Sequence, residues 1–403
     1  MLADGNPSVR IERGAAVEFV AMEDLTPGTR YVLSSRNRVF SSGGAKFVSG
    51  DILFARITPC LENGKIAQVR LSKVSGFGST EFFVFRAKPN IADAAFVFYL
   101  CTTSWVRAPA EKSMAGASGR QRADMASVLS AEVPLPSLPT QKRIAAILSA
   151  YDDLIENNTR RITILEEMAR RLYEEWFVHF RFPGHEAAEF RTSDAGDTPA
   201  GWPISRLEDL VQINPRTSVP SDGFKPFVPM GSLSETNMVV GPVEQREGNS
   251  GTKFQNNDTL VARITPCLEN GKTGFVDFLT GDQPVGFGST EFIVLRPAVL
   301  GRCAIYCLAR SHAFRDVAIK SMSGSEGRQR VQPDSVKAFL VARPPTTLLD
   351  RFEDFAWPCF QQVSALAKKN ANLRAQRDML LPKLISGEID FTYTLEAAKE
   401  AAE

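Results

Sequence analysis

Arg56-Ile57-Thr58-Pro59-Cys60-Leu61-Glu62-Asn63-Gly64-Lys65 occurs twice in the chain. The second copy, residues 263–272, is identical at all ten positions. Two further blocks repeat in the same order. Gly76-Phe77-Gly78-Ser79-Thr80-Glu81-Phe82 returns at 286–292. Lys112-Ser113-Met114, followed by Gly119-Arg120-Gln121-Arg122, returns within 320–330. The copies lie 207 to 210 residues apart. That period is far longer than a solenoid repeat, so the duplicated object is a domain.

The chain has 403 residues, enough for two or three domains. At 43% hydrophobic and 23% charged it reads as globular. No apolar run approaches the roughly 18 residues of a membrane helix, and the start, Met-Leu-Ala-Asp-Gly, lacks a signal pattern. Both features point to a cytoplasmic protein with no membrane partner. The cysteines at 60, 101, 267, 303, 307 and 359 form no Cys-x-x-Cys pair, and there are only three histidines. A metal site is not expected, and Cys60 and Cys267 read as small packed hydrophobes. A net charge of +1 neither demands nor excludes nucleic acid, because basic side chains can gather on one face.

Residues 1–138 read as a first α+β module. Short apolar strands such as Ile52-Leu53-Phe54-Ala55 are punctuated by turn signals such as Asn63-Gly64, and a helical stretch covers 92–103. After a proline run, 139–184 reads as one long helix with Thr140 as its cap. Residues 185–200 read as a linker and 201–345 as the second module. A second long helix covers 346–390, with Pro358 expected to bend it near Asp354, and 391–403 is an Ala- and Glu-rich tail. The second module begins Gly201-Trp202-Pro203-Ile204-Ser205-Arg206, and nothing before Met1 matches that segment.

Both helices carry a heptad. Leu148, Ile155, Ile162, Ala169 and Trp176 share one seam position of the first, with Ile144, Tyr151, Asn158, Leu165 and Leu172 at the other. Setting Asn158 opposite Asn370 in an antiparallel pair aligns Ile155 with Leu373, Ile162 with Leu366 and Trp176 with Phe352. Tyr151 opposite Arg377 is then the main polar layer besides the two asparagines, which are expected to fix register. The competing reading packs each helix on its own module. Two similar modules on a stiff spacer suit duplex DNA, whose groove positions recur about every 34–36 Å.

Leu135-Pro136-Ser137-Leu138-Pro139-Thr140-Gln141-Lys142-Arg143-Ile144-Ala145, then Asp152-Asp153-Leu154-Ile155-Glu156-Asn157-Asn158, together with Gly201-Trp202-Pro203 and the repeated blocks, resemble the specificity subunit of type I restriction-modification systems. The resemblance spans essentially the whole chain. It departs at the missing Gly-Trp start of the first copy and at the degenerate second helix start, 344–351. It implies two target recognition domains separated by two long helices that form an antiparallel coiled coil. It further implies a non-catalytic subunit that reads a bipartite double-stranded DNA target. Two modification subunits would use S-adenosylmethionine to methylate adenine, and restriction subunits would use ATP and Mg2+. This chain itself would hold no cofactor. A protein-binding scaffold of the same shape is the alternative.

The residues agree on the absence of catalysis. Asn6-Pro7-Ser8 and Asn214-Pro215-Arg216 fail the Asn/Asp-Pro-Pro-aromatic motif of adenine methyltransferases, and no Gly-x-x-x-x-Gly-Lys-Ser/Thr loop is present. Asp51, Glu62 and Lys65 have the wrong spacing for a nuclease site. Two loops are DNA-contact candidates. The first offers Arg56, Thr58, Asn63 and Lys65, repeated as Arg263, Thr265, Asn270 and Lys272; the same residues can instead build a turn. The second offers Arg120, Gln121 and Arg122, repeated as Arg328, Gln329 and Arg330, long donors in a Gly-rich loop suited to phosphates. Discrimination between half-sites is expected where the copies differ, as in 31–38 against 239–246.

Overall fold

The structure, a computed structural model, describes residues 1–403 except 34–35, 118, 194–195, 326 and 390–403. The expected tail, and part of 31–38, therefore lie outside the described residues. The chain divides into two compact units, 1–157 with 370–403, and 158–369. The division runs through the middle of both long helices, so each unit owns one half of each.

In unit 1 a five-stranded sheet has the order Ala3–Gly5, Phe82–Ala87, Ile52–Ala55, Ile66–Arg70, Tyr31–Leu33. A four-stranded sheet has the order Arg36–Val39, Ala16–Val20, Ser75–Gly78, Ala45–Val48. Unit 2 repeats this plan. Val211–Ile213, Phe292–Pro297, Thr259–Ala262 and Thr273–Phe275 form one sheet, and Glu244–Arg246, Lys225–Val228, Val285–Gly288 and Thr252–Gln255 the other. The fold is α+β, and the main strands of each unit sort into two sheets; unit 2 adds two-stranded pairings of Phe190–Ser193 with Gly196–Pro199 and of Ile204–Arg206 with Leu340–Ala342. The glycines of the second repeated block serve this plan. A Cβ on Gly78 would sit 2.4 Å from the Val20 carbonyl oxygen, and one on Gly288 would sit 2.5 Å from that of Val228. Both glycines let neighbouring strands close up.

A pair of short helices packs on the first-named sheet of each unit, Ala94–Thr102 with Ser104–Lys112 and Arg302–Arg310 with His312–Lys320. Asp93 caps the first, its carboxylate accepting from the Ala95 and Phe96 N–H groups at 3.0 Å. Buried side chains from these helices, the sheet and the long helices make one core in each unit, and a second core lies between its two sheets.

The first long helix runs Leu138–Tyr173 and ends in a π-helical turn, Glu174–Val178. Ser137 precedes it, with its hydroxyl 2.9 Å from the Thr140 hydroxyl, and the Gln141 N–H donates to the Ser137 carbonyl at 2.8 Å. The cap is thus Ser137 rather than Thr140, and Pro139 sits harmlessly in the first turn, where no N–H partner is needed. The second long helix runs unbroken over Thr346–Ser386, through Pro358.

Within each unit the helix halves run antiparallel. In unit 1, Asn370 Nδ2 donates to the Ile155 carbonyl at 3.4 Å, and Arg377, further along, pairs with Asp152, further back. In unit 2 the Trp176 and Phe352 rings lie 6.5 Å apart, as the register expected. Arg377 meets Asp152 rather than Tyr151. The carboxylate is the better partner for a buried guanidinium, and it also accepts from the Tyr99 hydroxyl at 2.6 Å. The buried stripe is wider than a two-position seam. Asp152, Glu166 and Tyr173 are buried beside Leu148, Ile162 and Ala169. The helices therefore pack on each other and on their own modules at once.

Candidate nucleic-acid interface

The three repeated blocks, remote in sequence, meet at one place in each unit. In unit 1 the Thr58 N–H donates to the Gln121 carbonyl at 3.0 Å, and the Ala123 N–H to the Arg56 carbonyl at 2.8 Å. The Arg56 N–H donates to the Glu81 carbonyl at 3.0 Å. Unit 2 repeats each bond. Thr265 donates to Gln329 at 3.0 Å, Val331 to Arg263 at 2.9 Å, and Arg263 to Glu291 at 2.9 Å.

A carboxylate missed in the sequence sits at the centre. Glu81 accepts from Arg122 in a two-pronged bond, Nη2 to Oε1 at 2.7 Å and Nε to Oε2 at 2.9 Å, while Arg56 Nε lies 3.2 Å from Oε2. Glu291 is gripped by Arg330 at 2.6 and 2.9 Å. The Arg122 hydrogen bond is the main influence holding the Glu81 carboxyl below the usual glutamate range; burial opposes it and Arg56 adds to it. Arg330 does the same to Glu291. The available signal was that Glu81 is the only acidic residue in its block, and the block recurs whole.

The other candidates separate. Arg120 and Arg328 are exposed, and their guanidinium groups have no partner among the described residues. Gln121 and Gln329 hold the loops through their backbone carbonyls. Lys65 Nζ donates to the Met22 carbonyl at 2.9 Å, whereas Lys272 makes no such bond among the described residues. Thr58 donates to Glu62 at 3.0 Å, but the buried Thr265 hydroxyl has no hydrogen-bond partner among the described residues. The Asn63 side chain is exposed and makes no hydrogen bond among the described residues, while Asn270 Nδ2 donates to Glu235 at 3.1 Å. Arginines tie this loop down from below. Arg107 donates to the Glu62 carbonyl at 3.0 Å, and Arg315 to that of Glu269 at 2.8 Å. Gly271 has φ +83, and a Cβ there would press Arg315 at 3.2 Å, so the Asn-Gly turn is needed beneath as well as within the loop. Asn158 and Asn370 are both buried.

Beside each cluster opens a cleft, built alike in the two units. In unit 1 it measures about 360 Å³ and is lined by Asn6, Pro7, Ser8, Lys46 and Arg56. In unit 2 it measures about 690 Å³, with Asn214, Pro215, Arg216, Lys253 and Arg263 in the corresponding places. Asn6 and Asn214 have φ 48 and 49. Each is pinned twice to the adjacent strand, its Oδ1 accepting from the Val84 or Val294 N–H at 3.0 or 2.9 Å and its own N–H donating back at 2.7 or 2.8 Å. These asparagines shape the cleft, and proline fixes the chain beyond them. The lining differs at Ser8 against Arg216.

Asp51, weighed as a metal ligand, is buried and held by Arg86 at 2.8 and 2.7 Å, as Asp258 is by Arg296. No metal-binding cluster of His, Cys, Asp and Glu occurs among the described residues. No helix among them is long and apolar enough to cross a membrane.

Comparison with known proteins places this architecture. Residues 27–167 match the family described as type I restriction modification DNA specificity domain. The chain is 35% identical to the type I restriction enzyme HindI specificity subunit of Haemophilus influenzae, over 84% of this chain and 86% of that protein. It is 25% identical to the MjaIX specificity subunit of Methanocaldococcus jannaschii, over 95% and 89%. A solved type I S subunit from M. genitalium is 15% identical, with TM-score 0.48, over 95% and 94%. The chain belongs to the specificity subunits of type I restriction-modification systems.

Proposed function

We propose that this chain gives a type I restriction-modification complex its DNA sequence specificity, each unit holding one half of a bipartite target. One observation supports this most directly. The same loop pair, arginine-carboxylate cluster and cationic cleft are built twice, on the same scaffold, with a different rim residue in each. The shared cations, Arg56 and Lys46 with Arg263 and Lys253, suit phosphates, which are the same at every site. Arg216, standing where unit 1 has Ser8, suits a guanine edge that the other half-site lacks. Exposed Arg120 and Arg328 extend each phosphate seat.

The chain is the non-catalytic member of the complex. Its long helices would dock two modification subunits, where S-adenosylmethionine would be used, and restriction subunits would bring ATP and Mg2+ chemistry. Its own acids are engaged in the fold, Asp51 and Asp258 by arginines and Glu81 and Glu291 by the loops. The test is methylome sequencing of the host with and without this gene, paired with a gel shift using chain plus modification subunit. Loss of one bipartite methyladenine motif on deletion is expected. An unchanged methylome and no shifted duplex would leave a protein scaffold instead.

A further inference from the structure

The second-named sheet of each unit carries a row of side chains in matching places. Strand register sets the row, because residues directly opposite on paired strands point to the same face. In unit 1, Arg36 stands opposite Phe19, Phe19 beside Phe77, and Phe77 opposite Lys46. In unit 2 the same register gives Glu244, Phe227, Phe287 and Lys253. The next residues along these strands, Val20 and Phe47 or Val228 and Phe254, are buried in the core between the sheets, so the row faces outward. Lys46 and Lys253 line the two clefts. The row therefore leads from each cleft to an edge strand. Three strand spacings make it about 14 Å long, close to the roughly 12 Å width of a major groove.

An arginine is laid over the row in both units. The Arg38 guanidinium lies 3.9 Å from the Phe19 ring centre, and that of Arg246 lies 3.9 Å from the Phe227 ring centre. Phe77 and Phe287 prop these rings edge-on, at 5.1 and 5.0 Å. Stacking on a propped ring fixes the plane of each guanidinium. Charge in the row differs at one place. Where unit 1 has Arg36, engaged by Asp24, unit 2 has Glu244. Glu244 Oε2 accepts from Arg246 Nε and lies 2.7 Å from Nη2. Both side chains remain open, 41% of Glu244 and 50% of Arg246 being exposed. Glu244 Oε1 and Arg246 Nη1 make no hydrogen bond among the described residues. An acid beside cations that suit phosphate weakens binding to every duplex alike. What it can gain is a donor on a base.

We propose that Glu244 and Arg246 read one C·G base pair in the major groove of the half-site held by unit 2. This rests on the DNA-reading function above and assigns it a pair of residues. In the major groove a cytosine presents its amino group as a donor, and its partner guanine presents O6 and N7 as acceptors. The open Glu244 oxygen accepts from the cytosine amino group, and the open edge of Arg246 donates to the guanine. Arg246 also holds the carboxylate in place, so donor and acceptor arrive at a fixed spacing. Lys253, at the cleft end of the row, holds a phosphate. In unit 1 the place of the acceptor is taken by Arg36, which has none to offer. The half-site held by unit 1 is therefore read without a cytosine contact at this place, although Arg38 and Lys46 are kept.

The test compares the motif methylated by the complex carrying the parent chain, Glu244→Ala or Arg246→Ala. Exchange of residues 201–341 identifies which half of the motif belongs to unit 2. Glu244→Ala should make one C·G position of that half degenerate and leave the other half and the spacer alone. Arg246→Ala should relax the same position. In competition binding, duplexes with that pair replaced should be at least about tenfold weaker for the parent and under about threefold weaker for Glu244→Ala. If Glu244 only neutralises Arg246, its removal tightens binding to all duplexes alike and leaves the motif as it was, which overturns the proposal. Relaxation in the half held by unit 1, or at different positions in the two variants, overturns it too. A parent complex that methylates no motif removes the DNA-reading function itself, and this assignment with it. An intact motif in Glu244→Ala removes the assignment alone.

Discussion

Arg120 and Arg122 stand two residues apart in one glycine-rich loop, and the sequence gives no reason to separate them. Their difference comes from Glu81, forty residues earlier in the chain, which engages Arg122 and leaves Arg120 to solvent. Arg120→Ala is expected to weaken binding to all duplexes alike. It should also make the salt dependence shallower by about one counterion, read from log Kd against log salt. A mutant that instead prefers a new sequence would make Arg120 a base reader. Glu81→Gln acts oppositely. It removes one negative charge and loosens Arg122, so non-specific binding should tighten at low salt and the slope should steepen by about one. Acid should mimic this change. Glu81 is held below its ordinary value of 4.5, so its pairing contributes stability above that pH and loses it as pH falls through the lowered value. The Gln variant should therefore lose less stability on acidification than the parent, as thermal melts between neutral and acid pH would show.

At the scale of elements, the long helices were the most legible part of the sequence. Arg-, Glu- and Leu-rich runs without glycine announce a helix, and the heptad fixed which layers meet, as Trp176 with Phe352 bears out. What the heptad could not carry was the second packing surface. A two-position seam describes a helix touching one neighbour, whereas these helices also touch their own modules, which buries Asp152 and Glu166 as well. The strand pattern likewise found the strands but not their sorting into two sheets, because period-two alternation is silent about pairing partners. Asp152 is the element-scale test. Its side chain is only 5% exposed and serves both Arg377 and Tyr99. Asp152→Ala leaves a buried guanidinium unpaired and should cost about 3–5 kcal/mol in denaturant unfolding. Asp153→Ala, one position round on the exposed face, should cost under about 0.5 kcal/mol. Similar losses for the two would mean that the pair does not anchor the helix.

For the whole molecule, the duplication was readable at once, because ten identical residues cannot recur by chance in a chain of this size. The division of the chain was not, because it falls inside both helices, between Asn157 and Asn158 and between Lys369 and Asn370. Composition changes at the proline runs, but compactness follows contacts, and each module takes its half-helices with it. This sharpens the test of two readers whose spacing is set by the helices. Exchanging residues 201–341 for the same region of a related subunit leaves every residue of the two long helices in place, so it should change one half of the methylated motif and leave the other half and the spacer alone. Changing the spacing needs both helices. Seven residues inserted after Asn157 and seven after Lys369 add one heptad to each, about 10.5 Å at about 1.5 Å per residue. Every pairing inside each unit is kept, because both breaks fall between units. Both half-sites should persist while the spacer lengthens by about three base pairs, at about 3.4 Å each. Inserting into one helix alone puts its seam out of step with its neighbour and should abolish specific methylation. An exchange that alters both halves, or a double insertion that changes a half-site, would refute the assignment of one reader to each unit.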